Sequence, residues 1–179
     1  GFVGDAITTL ALLVQRTRHR NAVMKCSGAS VIMDVLKRPV KEAALVIAAA
    51  RFVSNFVTKE ESCQAVLQCG ALPALLASFD DELLPAELGS VHVRSTLLAA
   101  VAACCADSND AQRTLREANW MSNLAKVLQA NPEHLQLHEA AMGVLRALSR
   151  IKEALEEIVN LGFVVITIRA MQRFSSATV

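Results

Sequence analysis

Apolar residues recur at three- and four-residue steps along most of this chain. In the stretch 132–148, Leu137, Ala141, Val144, Leu145 and Leu148 fall on one face of a helix. The same periodicity predicts long helices from Gly4 to Gln15, Val40 to Val57, Val91 to Ala106 and Pro132 to Leu148. Shorter ones are predicted from Ala29 to Leu36, Ala71 to Phe79, Trp120 to Leu128 and Phe163 to Phe174. Pro39 and Pro132 stand where two long helices begin, a place where the missing N–H costs nothing. The pattern is all-α.

The helices come in a repeating order. Four segments place an apolar residue four positions before a turn residue: Met24 before Gly28, Val66 before Gly70, Leu115 before Asn119 and Ile158 before Gly162. Gly and Asn are the types that tolerate positive φ at a helix end. Their spacings are 42, 49 and 43 residues, a period shared by armadillo and HEAT units. Each unit reads short helix, short helix, long helix. The expected boundaries are 19–57, 60–106 and 109–148, with partial units at 1–17 and 150–174, all within one domain over 1–179. One such unit cannot bury its apolar face alone, so units must stack.

The stretch from Ser54 to Leu75, SNFVTKEESCQAVLQCGALPAL, resembles an armadillo repeat junction. That family typically reads Leu-x-Asn-Leu-Ala at the end of a third helix, then a short helix and Gly-Ala-Ile-Pro-x-Leu. The resemblance covers nearly the whole chain. It implies an all-α, armadillo-type right-handed α-solenoid of about three full repeats with partial repeats at both ends; HEAT-type packing is the alternative. In the family, third helices line a concave groove. Asparagines there pair with the backbone of an extended peptide, and tryptophans one turn earlier hold its side chains.

Measured back from the turn residue, the ladder position falls on Asn55, Cys104 and Ala147, and the position one turn earlier on Arg51, Ala100 and Gly143. Only Asn55 matches. The sole tryptophan, Trp120, opens a second helix and reads as core or staple. Without repeated amides and aromatic walls, nothing would hold a basic extended peptide in uniform register, so nuclear-import cargo binding is not expected. Steps of four along each third helix put Arg51, Asn55, His92, Thr96, Ala100, Cys104, Glu139 and Gly143 on the groove floor. Small residues there would leave a shallow channel for a partner helix, or mark contact with a neighbouring helix, and Arg51 could anchor a carboxylate. The longer spacing of 49 reflects an insertion over 80–90, acidic yet carrying Leu83, Leu84 and Leu88, which either fold back over the solenoid or dock a partner.

Composition narrows the function classes. The chain is 53% hydrophobic and 20% charged, yet its longest apolar run, Leu97 to Ala106, is well short of the roughly 20 residues a spanning helix needs. No membrane insertion is expected. Five cysteines without a CxxC pair, and no Asn-x-Ser/Thr, fit a reducing, intracellular and cytoplasmic setting. Residues 1–41 carry seven Lys/Arg against two carboxylates, and 42–139 carry six against twelve. The dense basic patch, Arg16, Arg18, His19 and Arg20, reads as a solvated helix end, and with so few aromatics no nucleic-acid partner is expected. His134 and His138 are one turn apart without a third ligand nearby, which reads as an exposed helix face. No phosphate loop, nucleophile elbow or zinc-protease motif is present, and no cofactor or metal is expected.

These readings converge on a non-enzymatic scaffold that binds a protein partner along the third-helix face within a larger assembly. The alternatives are a regulator of a nucleotide-binding protein, of exchange-factor or chaperone type, and a structural element of a cytoskeletal or ciliary complex. The chain opens inside a third helix and closes after a second one, so either more chain in the parent protein or self-association through uncapped ends is a further expectation.

Overall fold

A computed structural model of the chain describes residues 1–38, 42–80 and 90–176, and the described residues form helices with no strand. In chain order these are α1 (Phe2–Leu13), α2 (Thr17–Lys25), α3 (Gly28–Leu36), α4 (Ala43–Phe56), α5 (Glu60–Gln68) and α6 (Ala71–Asp80). Then follow α7 (Ser90–Cys105), α8 (Asn109–Glu117), α9 (Met121–Ala130), α10 (Leu135–Leu148), α11 (Lys152–Asn160) and α12 (Phe163–Ser176). After α1, the order short, short, long recurs in α2–α4, α5–α7 and α8–α10, and α11–α12 repeat its first two members. Leu83, Leu84 and Leu88 of the insertion lie outside the described residues, as does Pro39.

The first two helices of each unit meet at a residue in the left-handed conformation: Gly70 (φ 73°), Asn119 (φ 52°) and Gly162 (φ 77°). In the first unit this residue is Ser27 (φ 50°), not Gly28. Gly28 is required for a different reason: a Cβ there would stand 2.7 Å from Val23 Cγ1 and 3.3 Å from the Val23 carbonyl oxygen. The spacings between turn residues become 43, 49 and 43, which tightens the repeat. Pro73 sits at the third position of α6, where its missing N–H breaks no helical bond. α10 begins at Leu135, three residues later than Pro132 suggests.

One apolar spine runs through all the units. The third helices pack in series, α1 on α4, α4 on α7 and α7 on α10, and each second helix packs under its own third helix. The core includes Phe52, Phe56, Phe79, Leu97, Leu98 and Phe163. Trp120 is buried edge-on against Phe79, with ring centroids 4.7 Å apart, and its indole N–H donates to Asp80 Oδ1 at 3.0 Å. Asn123 Nδ2 donates to the same carboxylate oxygen. The staple role expected of Trp120 is therefore a link between consecutive second helices.

Seven residues before each turn, the first helix pins a carbonyl near the end of a third helix or just beyond it. Arg20 Nη2 donates to Gln15 O at 3.4 Å, Cys63 Sγ to Cys104 O at 3.5 Å and Gln112 Nε2 to Cys105 O at 2.7 Å. Helix ends leave such carbonyls without intrahelical partners, and these side chains supply them. Arg20 is therefore buried rather than part of a solvated patch. His138 is likewise buried rather than on an exposed face. Its Nε2 lies 3.3 Å from the Asn131 carbonyl and its ring stands edge-on to Phe174 at 5.8 Å. Burial lowers its pKa, reinforced by the charges of Arg173 and His134 against the opposing effect of that carbonyl. Among the described residues, no single helix is long and apolar enough to cross a bilayer.

Candidate partner-binding face

The four third helices form a contiguous wall, and their solvent-facing residues define its surface. Between α1, α4 and α7 lies a hollow of about 340 Å³ lined by Thr8, Leu12, Ala44, Ile47, Arg51 and His92 among others. A second hollow of about 310 Å³ lies between α7 and α10, over Ala103, Ala106, Gly143, Arg146 and Arg150.

Arg51 is exposed at the rim of the first hollow, and no hydrogen bond or ion pair holds it among the described residues. Asn55 is half-buried, and its Nδ2 donates to Ala11 O at 2.8 Å. That carbonyl lies in the last turn of α1, where the next available N–H, from Gln15, bonds to Leu12 instead. The amide expected to form a peptide ladder thus ties α4 to α1. His92 is exposed at the start of α7, and its carbonyl accepts the Ser95 and Thr96 hydroxyls, each at 2.9 Å. Thr96 is half-buried with its hydroxyl proton so committed, and Glu139 is exposed.

Ala100 and Cys104 are fully buried and cannot touch a partner on this face. The reason is helical pitch. A turn takes 3.6 residues, so steps of four drift off the surface after two turns. From His92 the 3.6-residue path runs through Thr96, Ala99, Ala103 and Ala106, each exposed or half-buried. From Glu139 it runs through Gly143 to Arg146, bypassing the buried Ala147. Ala99, Ala103 and Arg146 were therefore missed, although the helical period itself could have found them.

Gly143 serves mainly the contact between α7 and α10. A Cβ at that position would lie 3.1 Å from Ala102 Cβ, so the third helices approach closely where both residues are small. Cys104 and Cys105 of α7 are buried behind the wall, as is Cys63 of α5. Burial pushes the Cys105 thiol up to about 12 and raises those of Cys104 and Cys63 as well, which keeps all three protonated near neutrality.

Neither a family model nor a curated protein sequence matches the chain. Solved structures do. A designed armadillo repeat protein in complex with the peptide (KR)4 superposes with a TM-score of 0.77 at 18% identity, over 94% of this chain and 67% of that one. Another designed armadillo repeat protein gives 0.74 at 19% identity, over 89% of this chain and 63% of that one. Computationally designed armadillo repeat proteins for modular peptide recognition give 0.67 at 18% identity, over 94% and 73%. The chain also covers 62% of an engineered protein it matches at 17% identity and a TM-score of 0.74, so it spans less than two-thirds of two of these solenoids. Likeness at such identities speaks to architecture, and it agrees with the helix order, the turn conformations and the serial packing of third helices: the chain folds as an armadillo-type α-solenoid.

Proposed function

We propose that this chain is a non-enzymatic scaffold that holds a segment of a partner protein across its third-helix face. The observation that carries this reading is Arg51, a cation without a counter-charge among the described residues at the rim of a hollow whose apolar lining includes Leu12, Ala44 and Ile47. An apolar side chain seated there would lose water-exposed surface, and a carboxylate beside it would meet the guanidinium in a charge-assisted, bidentate hydrogen bond. The related designed protein holds a (KR)4 peptide. Such a peptide has the wrong sign for Arg51 here, and the intramolecular bond of Asn55 takes up an amide hydrogen that a peptide ladder would need. On this reading the partner segment is apolar with an acidic residue, and Ala99, Ala103 and Arg146 extend its track along the wall.

A photo-crosslinking residue placed at Ala99 or Ala103, and as a control at Ser122 on the outer side of α9, tests this proposal. Crosslinks to a discrete partner from the third-helix positions alone support it, as does their loss in Arg51→Glu. Equal crosslinking from Ser122, or recovery unchanged by Arg51→Glu, contradicts it.

A further inference from the structure

Two exposed cations on the third-helix wall have no ion-pair partner among the described residues: Arg51 of α4 and Arg146 of α10. Arg150, one turn beyond Arg146, is engaged. Its Nη1 donates to Ala106 O at 3.2 Å and lies 3.8 Å from Asp107 Oδ1. Arg51 rims the hollow between α1, α4 and α7, and Arg146 rims the one between α7 and α10. They stand 19 residues before Gly70 and 16 before Gly162, so they lie within one helical turn of the same height. Only α7 separates their helices, and packed axes are about 8–10 Å apart, which puts the two cations about 16–20 Å from each other.

The wall between them is poor in polar side chains. Ala99, Ala103 and Ala106 of α7 and Gly143 of α10 reach its surface, and the Thr96 hydroxyl proton is spent on the His92 carbonyl at 2.9 Å. An extended segment crossing here would press its own N–H and C=O groups onto methyl groups, where neither water nor the wall pairs with them. A helix pairs those groups internally, so it crosses the same surface without that cost. Glu139, one turn before Gly143, is exposed and repels a carboxylate placed on its side, which leaves Arg146 as the anchor on α10.

We infer that the segment held across this wall is an amphipathic helix carrying two carboxylates three or four turns apart, one for Arg51 and one for Arg146. This rests on the third-helix wall being the partner-binding face, and adds the partner's conformation and its second anchor. At about 1.5 Å per residue, the gap between the cations corresponds to about 11 to 14 residues of helix. Spacings of about 11 and about 14 also return to the same helix face at about 3.6 residues per turn. Carboxylates so placed reach both guanidiniums, while the apolar side chains between them cover the alanines of α7. A basic residue at either place would meet a like charge.

Random peptides of about 20 residues, long enough to hold the pair, can be displayed on phage and selected on the whole chain. The expected enrichment is of helix-forming sequences with Asp or Glu pairs at spacings of about 11 or 14. Fluorescence anisotropy of an enriched peptide should then show binding weakened about tenfold by Arg51→Ala and about tenfold by Arg146→Ala. Changing one peptide carboxylate to its amide should cost as much, leave the chain's fold untouched, and make the matching arginine variant no worse than the parent chain. A proline at the centre of the peptide should abolish binding. No enrichment, enrichment of proline-rich or unpaired sequences, or indifference to the central proline overturns the inference. Binding weakened by Arg51→Ala but not by Arg146→Ala overturns the two-anchor helix and leaves the wall as partner-binding face standing. Indifference to both variants contradicts the helix and the face together.

Discussion

Ser27 and Gly28 divide between them two tasks that one glycine performs at Gly70 and Gly162. The turn needs positive φ, which a serine adopts at a cost of about 1 kcal/mol. The start of α3 needs a residue without a Cβ, because Val23 is stiff about χ1 and already fills that space. Ser27→Gly should therefore stabilise the chain by about 0.5–1 kcal/mol in urea unfolding, and Gly28→Ala should destabilise it by at least about 1 kcal/mol. If Gly28→Ala proved harmless and Ser27→Gly had no effect, the turn assignment would fail. A glycine in a turn motif is read by default as the residue with positive φ, and only the clash with Val23 distinguishes the two roles. Ladder chemistry was equally hard to read. Asn55 matched the family pattern, but its partner, the Ala11 carbonyl, is 44 residues away in sequence.

For the helices, existence and order followed from apolar periodicity, because amphipathic helices of nine to sixteen residues carry a strong 3.6-residue signal. The facing of individual residues on the third helices did not follow from a step of four. Over the length of α7 the accumulated error carried Ala100 and Cys104 from surface to core. The small residues marked the contact between α7 and α10, and Gly143 is its tightest point. Gly143→Ala should be nearly neutral, since about 1 kcal/mol of helix propensity offsets a close contact with Ala102. Gly143→Val adds bulk in the same gap and should cost about 1–3 kcal/mol. Thermal or urea unfolding reads both, and a valine variant as stable as the alanine one would show that α7 and α10 do not meet there.

Across the whole molecule, one period organises what is buried. Several residues at the same distance from Ser27, Gly70 and Asn119 share an environment, as the buried Met33, Leu76 and Ala125 of the second helices do. The armadillo-type fold was legible because the period, the turn residues and the Gly-Ala-Leu-Pro junction all lie within short stretches of sequence. The partner-binding face was legible only to the level of which helices form it. Its chemistry depends on side chains that bond across units, as Asn55 does, or that have no ion-pair partner among the described residues, as Arg51 does. The central claim is that the third helices form one wall in series rather than a closed bundle. Spin labels at Ile47, Thr96 and Glu139, each 23 residues before its turn, would test it in a Cys26→Ser, Cys69→Ser background that keeps only buried native thiols. Neighbouring helices pack about 10 Å apart, so the 47–139 distance should be about twice the 47–96 and 96–139 distances. Three nearly equal distances would mean helices packed around a common centre, and would contradict the solenoid.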